Sequence, residues 1–290
     1  SIFGAGAGMI LNVLDTMVAM QPDEDQVTQG FAMSSVGVQA GRIFGVGIGA
    51  TVMLNFGYPG VYVVSSIFLF LLLVTSLLLY DKHNLPDATG FVEEDAGTTF
   101  LDFVKNKRVI GYTLLIVVPY FLCFGFIEYF LPLAGKGYGM SEQEISYIVI
   151  VFGLIAISFG PLLTKKLMSI FNSYIVLIIS TVVVSSAIIY YGFNQSILGL
   201  VISSLAFAFA DSFFQSVQNI YITQLPESIR YGQGSTLAFS NIVIGIAQTG
   251  QSYIFAFAMI FGIKSAFLII GIGFLVLTVI FLILNLEKKE

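Results

Sequence analysis

Nine apolar stretches, most of them close to twenty residues long, follow one another along this chain. They cover residues 2–18, 31–54, 59–80, 109–133, 144–164, 173–192, 196–221, 236–259 and 264–285. A helix needs about twenty apolar residues to cross the hydrocarbon of a bilayer, whereas a barrel strand needs only about ten. Charged residues make up 10% of the chain, far below the proportion in soluble domains. The sequence therefore predicts an all-α integral membrane protein with about nine transmembrane helices.

The basic residues are divided unevenly between the two sides of the predicted helices. Nine of the twelve fall on one side: Lys82, Lys105, Lys107, Arg108, Lys165, Lys166, Arg230, Lys288 and Lys289. Lys136 and Lys264 fall on the other side, and Arg42 lies inside a span. Because cytoplasmic loops carry an excess of Lys and Arg, we expect a cytoplasmic C-terminus. We expect the protein to lie in the plasma membrane.

Two segments 204 residues apart have nearly the same sequence. Each is a proline and an acidic residue, then five residues, then Gln-Gly: Pro22-Asp23 with Gln29-Gly30, and Pro226-Glu227 with Gln233-Gly234. The glycine of each copy is expected to open a hydrophobic helix. A parallel repeat of this length predicts two similar helix bundles side by side.

The repeat pairs the first three spans with the last three, which divides the chain into three parts. Residues 1–80 would hold the last three helices of an N-terminal six-helix half, and residues 109–290 a complete C-terminal half. Residues 81–108 would be a cytoplasmic linker, with a short helix near Phe100 lying at the lipid interface.

These features resemble the major facilitator superfamily of secondary transporters. The resemblance rests on the repeated Pro-acid-x5-Gln-Gly segment, on the glycine-rich helix after its first copy, and on Gly160-Pro161-Leu162-Leu163-Thr164-Lys165-Lys166. The last stretch is similar to the family's loop between helices eight and nine, although Thr164 replaces its Asp. The resemblance implies a major facilitator-type bundle of family helices four to twelve, with the first three absent. It also implies that helices six, nine and twelve are peripheral while the others line a central cavity.

Ionisable residues inside apolar spans are the main functional candidates, because a charge at the bilayer centre costs about 2.5–3.5 kcal/mol on insertion scales. Asp211 and then Glu128 are the candidates for proton coupling, since a low dielectric favours the neutral form of an acid. A polar stripe follows Asp211 at i+4, i+7 and i+8, on one helical face. The substrate-cavity candidates are Gln39, Arg42, Gln215, Gln218, Asn219, Asn241 and Gln248.

Alternatives remain open for several of these residues. Each amide could simply bridge two helices by a hydrogen bond. Arg42 could bind an anionic group of the substrate or hold one carboxylate in its ionised form. Asp15, near the end of its span, is interpreted as a helix cap or an interface charge.

Glycines recur at every fourth position of the second span: Gly37, Gly41, Gly45 and Gly49. Their shared face carries no side chains, which lets another helix approach closely, so the sequence predicts helix packing there. A compatible alternative is that these glycines permit one bundle to rock on the other.

The sequence contains no recognisable nucleophile, metal cluster, nucleotide loop or nucleic-acid patch, and its one cysteine, Cys123, is interpreted as a packing residue. We therefore expect no enzyme activity, no cofactor, no metal and no nucleic-acid partner. The predicted function is secondary active transport of a small solute by alternating access, coupled to protons or another ion, and the direction could be efflux. The alternative is a transport-inactive membrane sensor or anchor with the same fold.

Overall fold

The computed structural model describes residues 2–21, 23–79 and 100–286, and these ranges are helical without any β-strand. The helices are α1 (Ile2–Ala19), α2 (Glu24–Leu79), α3 (Phe100–Lys105), α4 (Lys107–Gly137), α5 (Glu142–Ile170), α6 (Ser173–Phe193), α7 (Ile197–Thr223), α8 (Pro226–Tyr231), α9 (Gln233–Met259) and α10 (Ile263–Leu286). The predicted all-α fold is confirmed. Seven segments of the described ranges are long and apolar enough to cross a membrane: the part of α2 from Asn55, and α4, α5, α6, α7, α9 and α10.

The predicted span 31–54 and residues 59–79 of the next predicted span form the two arms of α2. The arms meet at Gly57, whose φ of 66° and ψ of −174° interrupt the helical conformation. Glycine adopts a positive φ without the steric cost that a Cβ would bring. Pro59 follows, and a proline has no N–H for the helical hydrogen bond and crowds the carbonyl four residues earlier. Together these two residues explain the break.

The short connections reverse the chain, so the long helices have two sets of ends. We call one set the basic end, because it carries Lys105, Lys107, Arg108, Lys165, Lys166 and Arg230. The other set, which we call the opposite end, includes Gly57, Gly137, Phe193 and Met259. That the basic end faces the cytoplasm stays a prediction.

The predicted linker lies mostly outside the described residues, which resume at Phe100. The short helix expected there is present as α3. Phe103 of α3 is buried, stacks on Tyr231 with ring centroids 4.5 Å apart, and meets Phe239 edge-on at 5.7 Å. These rings attach α3 to α8 and α9. Its place at a lipid interface and the division into two halves stay predictions.

The two copies of the repeat fold differently. In the second copy, α8 ends before Gly232, which has a φ of 101°, and α9 begins at Gln233. In the first copy, α2 begins at Glu24 and continues through Gly30 without a break. The expectation that Gly30 opens a new helix is therefore wrong, because no residue there leaves the helical conformation.

Both repeat glycines instead allow close approach to α1. A Cβ added at Gly30 would lie 2.7 Å from Val18 Cγ1, and one added at Gly234 would lie 3.0 Å from Thr16 Cγ2. Both distances are shorter than the 3.5–4.0 Å at which carbon atoms attract one another best. The end of α1 is thus held between α2 and α9 at two positions where a larger residue would not fit.

The stretch Gly160 to Lys166 is helical and lies inside α5, so its assignment as a loop is wrong. Proline is tolerated inside membrane helices where neighbouring helices satisfy the freed backbone groups, and Pro161 does not end α5. The turn to α6 comes later, at Phe171 and Asn172. Gly160 is in close contact with α7, because a Cβ added there would lie 2.8 Å from the carbonyl oxygen of Ser212.

The glycine face of α2 has no close neighbour among the described residues. A Cβ added at Gly37, Gly41, Gly45 or Gly49 would meet no described atom within 4 Å. The helix contact expected at this face is therefore not observed. α2 contacts α5 through a different residue, Ile43, which occupies the space where Gly153 of α5 has no side chain.

Aromatic rings join α4, α6, α9 and α10 near the opposite end. The cluster consists of Phe126, Phe130, Tyr191, Phe255 and Phe267, all less than 2% exposed except Phe130 at 2%. Its closest centroid distances are 4.4 Å between Phe130 and Phe267 and 4.9 Å between Tyr191 and Phe267. Edge-to-face pairs like these add about 0.5–1.5 kcal/mol each beyond the area they bury.

Candidate functional site

Asp211 lies at the centre of a hydrogen-bonded cluster that joins three helices. Gln39 Nε2 of α2 donates to Asp211 Oδ2 over 2.7 Å, and Tyr120 Oη of α4 donates to Asp211 Oδ1 over 2.9 Å. Gln215 Nε2, one turn later on α7, donates to Oδ2 over 3.2 Å. The Asp211 residue is only 1% exposed. Its three partners all donate, which is the arrangement that an ionised carboxylate accepts.

Tyr120 was not among the residues predicted from the sequence. Its ring is fully buried and stacks on Phe214 with centroids 3.4 Å apart and planes 9° apart. Stacking fixes the direction of the Tyr120 hydroxyl toward Asp211. A tyrosine inside an apolar span needs a hydrogen-bond partner when buried, and that requirement is the signal that could have identified it.

Arg42 and Glu128 form the second part of the site. Arg42 Nη2 is 3.4 Å from Glu128 Oε1, and the two side chains are 37% and 39% exposed. Gln251 Nε2 of α9 donates to Glu128 Oε2 over 2.6 Å, and the Arg42 guanidinium lies 5.0 Å from the centroid of the Phe124 ring. Gln251 was not among the predicted residues, although Gln248 on the same helix was.

The conformation of α4 places Glu128 in an irregular turn. Two π-helical turns, Thr113–Val117 and Phe126–Phe130, each end two residues before a proline, Pro119 and Pro132. A proline cannot donate to the carbonyl four residues earlier, so the helix widens locally. Single π-helical turns are frequent at functional sites. Glu128 lies inside the second turn.

A cavity of about 380 Å³ adjoins the Arg42–Glu128 pair. It is lined by Gln39, Arg42, Ile43, Phe124, Ile127, Glu128, Pro132, Ile145, Ser146, Val149, Phe152 and Gly153. Pro132, near the end of α4, and Ile145, near the start of α5, place the cavity toward the opposite end of the bundle. Asp211 does not line this cavity and is connected to it through Gln39.

The remaining candidates are distributed over several places. Gln215 contacts Asp211, whereas Gln218 is buried and accepts a hydrogen bond on its backbone carbonyl from the Tyr112 hydroxyl, at 3.0 Å. Asn219 and Asn241 lie beside Asp15. Gln248 is partly buried and does not line the cavity. The structure thus brings Gln39, Arg42 and Gln215 together with the two acids, but not the other four amides.

Asp15 is not a helix cap. It lies inside α1, which continues to Ala19, and the residue is only 8% exposed. Ser34 Oγ of α2 donates to Asp15 Oδ1 over a long 3.4 Å. The cap interpretation is wrong because the side chain points into the contact between α1 and its neighbours.

Direct contacts close the bundle near the basic end. The hydroxyls of Ser35 on α2 and Ser216 on α7 are 2.9 Å apart, and Ser216 Oγ also donates to the Phe31 carbonyl over 3.3 Å. Gly234 of α9 contacts Thr16 of α1. The cavity therefore lies on one side of this contact layer, toward the opposite end.

The described part of the chain holds no group of three or more His, Cys, Asp or Glu side chains that could bind a metal ion. Cys123 is buried in α4.

Comparisons with known proteins bear on the fold and the family. A solved structure, that of the human organic anion transporter MFSD10 (TETRAN), has a similar fold with a TM-score of 0.71 at 14% sequence identity. The match covers 93% of this chain and 67% of that one. No curated protein sequence matches. The sequence model of the Major Facilitator Superfamily matches residues 1–250. The chain therefore belongs to the Major Facilitator Superfamily, a family of membrane transporters.

Proposed function

We propose that this protein transports a small anionic solute across the plasma membrane by alternating access, coupled to protons. The observation that carries the proposal is the position of Arg42. It lies in the wall of the cavity, in contact with one carboxylate, Glu128, and one helical turn from Gln39, which binds a second carboxylate, Asp211.

An anionic solute fits this cavity because Arg42 supplies the positive charge in its wall. A guanidinium binds carboxylates and related anions through several N–H donors. The rings of Phe124 and Phe152 line the same cavity and offer apolar surface to the remainder of an organic anion. The structural relative is described as an organic anion transporter. Its likeness supports the assignment of the fold, whereas Arg42 supports the inference that the solute is an anion.

In this proposal, proton coupling arises from competition for Arg42. While Glu128 is ionised, it occupies one side of the guanidinium. A proton on Glu128 removes that partner, so Arg42 can then bind the anion. The proton and the anion therefore bind together. Asp211 remains the first candidate for the coupling step. A proton there would change hydrogen bonds to both α2 and α4, and so shift the balance between conformations.

Alternating access is supported by the asymmetry of the bundle. Ser35 and Ser216 are in contact near the basic end, while the cavity lies toward the opposite end. In the proposed mechanism, this arrangement is one of the two required states. In the other state the Ser35–Ser216 contact would be broken and the cavity would open at the basic end.

A disulfide between α2 and α7 tests alternating access. Ser35→Cys and Ser216→Cys, combined in a Cys123→Ala background, place two sulfurs where hydroxyls are now 2.9 Å apart. A disulfide needs about 2.05 Å between its sulfurs, which small side-chain shifts can reach. Oxidation should arrest transport and a reductant should restore it, while each single cysteine variant stays active. Unchanged transport in a fully cross-linked sample would contradict alternating access.

Proteoliposomes test the solute and the coupling. The probes are membrane-impermeant anions, radiolabelled benzenesulfonate and citrate, driven by a pH gradient. Asp211→Asn should keep exchange of the accumulated probe across the membrane but lose its uphill movement. Asp25→Asn, at an exposed acid, is the matched control and should behave as the parent does. Gradient-driven movement by Asp211→Asn at the parental rate would remove Asp211 from the coupling step.

Comparison of Arg42→Gln with Glu128→Gln tests solute binding separately from proton binding. Arg42→Gln should lose the binding of both anions, whereas Glu128→Gln should keep that binding and make it less dependent on pH. If Arg42→Gln binds the probes as tightly as the parent, the proposal of an anionic solute is wrong. Absence of transport for every solute tried, with intact folding, would favour the sensor alternative.

A further inference from the structure

Asp15 is a buried carboxylate that has no charged partner among the residues that the structure describes. The groups that face it are Ser34 from α2, Asn219 from α7 and Asn241 from α9, and none of the three is charged or titratable. Ser34 Oγ donates to Asp15 Oδ1 over a long 3.4 Å. Burying an ionised carboxylate is costly unless it is paired and well hydrogen-bonded. Asp15 differs in this respect from Asp211, which accepts three shorter hydrogen bonds.

A continuous polar face of α7 connects the two carboxylates. Asp211, Gln215 and Asn219 are spaced four residues apart, so each step along the helix is about 6 Å. Gln215 donates to Asp211 at the first step, and Asn219 lies beside Asp15 at the last. The polar stripe found in the sequence therefore runs from the buried centre of the bundle to Asp15, toward the basic end.

Within the described ranges, two further buried polar atoms near Asp15 are poorly hydrogen-bonded. Asn12 Oδ1, one helical turn before Asp15 on α1, is a buried acceptor without a donor. Asn241 Nδ2 is a buried donor that faces Asp15 without a well-formed hydrogen bond to it. Buried polar groups are normally hydrogen-bonded, so these two atoms can take up hydrogen bonds when the protonation of Asp15 changes. A protonated Asp15 gains an O–H donor, which a neighbouring acceptor such as Asn12 Oδ1 can satisfy.

We propose that Asp15 is a second proton-binding carboxylate, which receives the coupling proton from Asp211 along the Gln215–Asn219 face and passes it to water at the basic end. The proposal rests on the proposed function, since it extends the proton-coupling step. In the transfer, the O–H bond of protonated Asp211 breaks and an O–H bond forms on Asp15. Water molecules held by the two amides carry the proton between them. Asp211 becomes ionised as Asp15 becomes neutral, so the net charge does not change.

This path accounts for the location of Asp15 relative to the closed contact. Ser34, its partner, is adjacent in sequence to Ser35, which contacts Ser216. Separation of α2 from α7 at Ser35 would therefore also uncover Asp15. The carboxylate would exchange its proton with water in the state where the basic end is open, while Asp211, which is buried and connected to the cavity through Gln39, would receive its proton from the cavity side.

The experiment compares Asp15→Asn, Asp15→Glu and Asp25→Asn in proteoliposomes with the same impermeant anions. Asp15→Asn should lose uphill movement driven by the pH gradient and keep exchange, Asp15→Glu should keep both, and Asp25→Asn should match the parent. Infrared difference spectra between acid and alkaline buffers give a second readout that a structural role would not change. The carboxyl band of one buried acid should disappear in Asp15→Asn and remain in Asp15→Glu.

The outcomes separate this inference from the proposed function. Loss of uphill movement in Asp211→Asn with normal coupling in Asp15→Asn, and an unchanged infrared band, would overturn the role of Asp15 alone. Normal coupling in both variants would overturn the path and the role of Asp211 together, and would leave Glu128 as the coupling acid of the proposed function. If Asp15→Asn does not fold, Asn219→Leu, which leaves both acids in place and interrupts the polar face, should slow gradient-driven movement. Parental rates in Asn219→Leu would then refute the path.

Discussion

Two glycines of α10, two residues apart, provide a matched test of close helix packing. A Cβ added at Gly271 would lie 2.6 Å from Ile189 Cγ1, 3.1 Å from the Ser185 carbonyl oxygen and 3.2 Å from the Ile189 nitrogen, all on α6. A Cβ added at Gly273 would meet no described atom within 4 Å. Gly271→Ala should therefore destabilise the protein, and Gly273→Ala should not.

The magnitudes follow from two opposing effects. Replacing glycine by alanine inside a helix raises the free energy of unfolding by about 0.5–1 kcal/mol, and this gain in stability is the same at both positions. At Gly271 the added methyl meets backbone atoms and a β-branched side chain with little rotamer freedom, and overpacking of this kind costs about 1–3 kcal/mol. The two variants should therefore differ in stability by about 1–3 kcal/mol in favour of Gly273→Ala.

The assay is thermal unfolding in detergent of the parent and the two variants, prepared identically. At about 2–4 °C per kcal/mol, the expected difference in apparent Tm is about 2–12 °C. Gly273→Ala should melt at or above the parental temperature. Equal melting temperatures for the two variants, or a higher one for Gly271→Ala, would show that α10 and α6 are not in backbone contact at this point.

Three other predictions concern different parts of the molecule. Ser141→Ala removes the capping box at the start of α5, where Ser141 and Glu144 bond each other's backbone, and should lower stability by about 1 kcal/mol in the same melting assay; an unchanged Tm would contradict it. Tyr120→Phe removes one donor to Asp211 and should cost about 1–3 kcal/mol, since a buried acceptor is left with fewer partners; normal stability together with normal coupling would show that the bond is dispensable. Single cysteines at Ser169 and Gln143, in a Cys123→Ala background, should react with impermeant reagents from the cytoplasmic and the external side respectively; the reverse pattern would invert the predicted topology.

The fold was largely predictable because the constraint that determines it is simple. A bilayer requires long apolar helices, and the spans predicted at 173–192 and 264–285 agree with α6 and α10 to within a residue or two. Local departures from regular helix were harder to predict. Gly30 and Gly160 both looked like breaks, yet both are helical, because their role is to allow a neighbouring helix to approach and only the tertiary structure shows that neighbour.

The site was predictable in part, for a related reason. Charges inside a span are expensive, so Arg42, Glu128 and Asp211 were evident from the sequence. Their partners were not, because the bond from Tyr120 to Asp211 joins residues 91 positions apart and that from Gln251 to Glu128 joins residues 123 apart. Helical periodicity assigns a residue to a face of its own helix but does not say which helix lies opposite. The interpretation of Asp15 as a helix cap was wrong because its burial depends on three other helices, which its own sequence neighbourhood does not show.

The two glycines of the internal repeat, Gly30 and Gly234, contact the same helix, α1, two residues apart. Energetic effects at sites that share a partner are not independent. A larger residue at either position would displace the end of α1. Once α1 is displaced, a larger residue at the other position meets fewer atoms and costs less stability. The free energies of the two substitutions should therefore sum to more than that of the double variant. A repeat that looks like two separate copies in the sequence thus behaves as one thermodynamic unit in the folded protein.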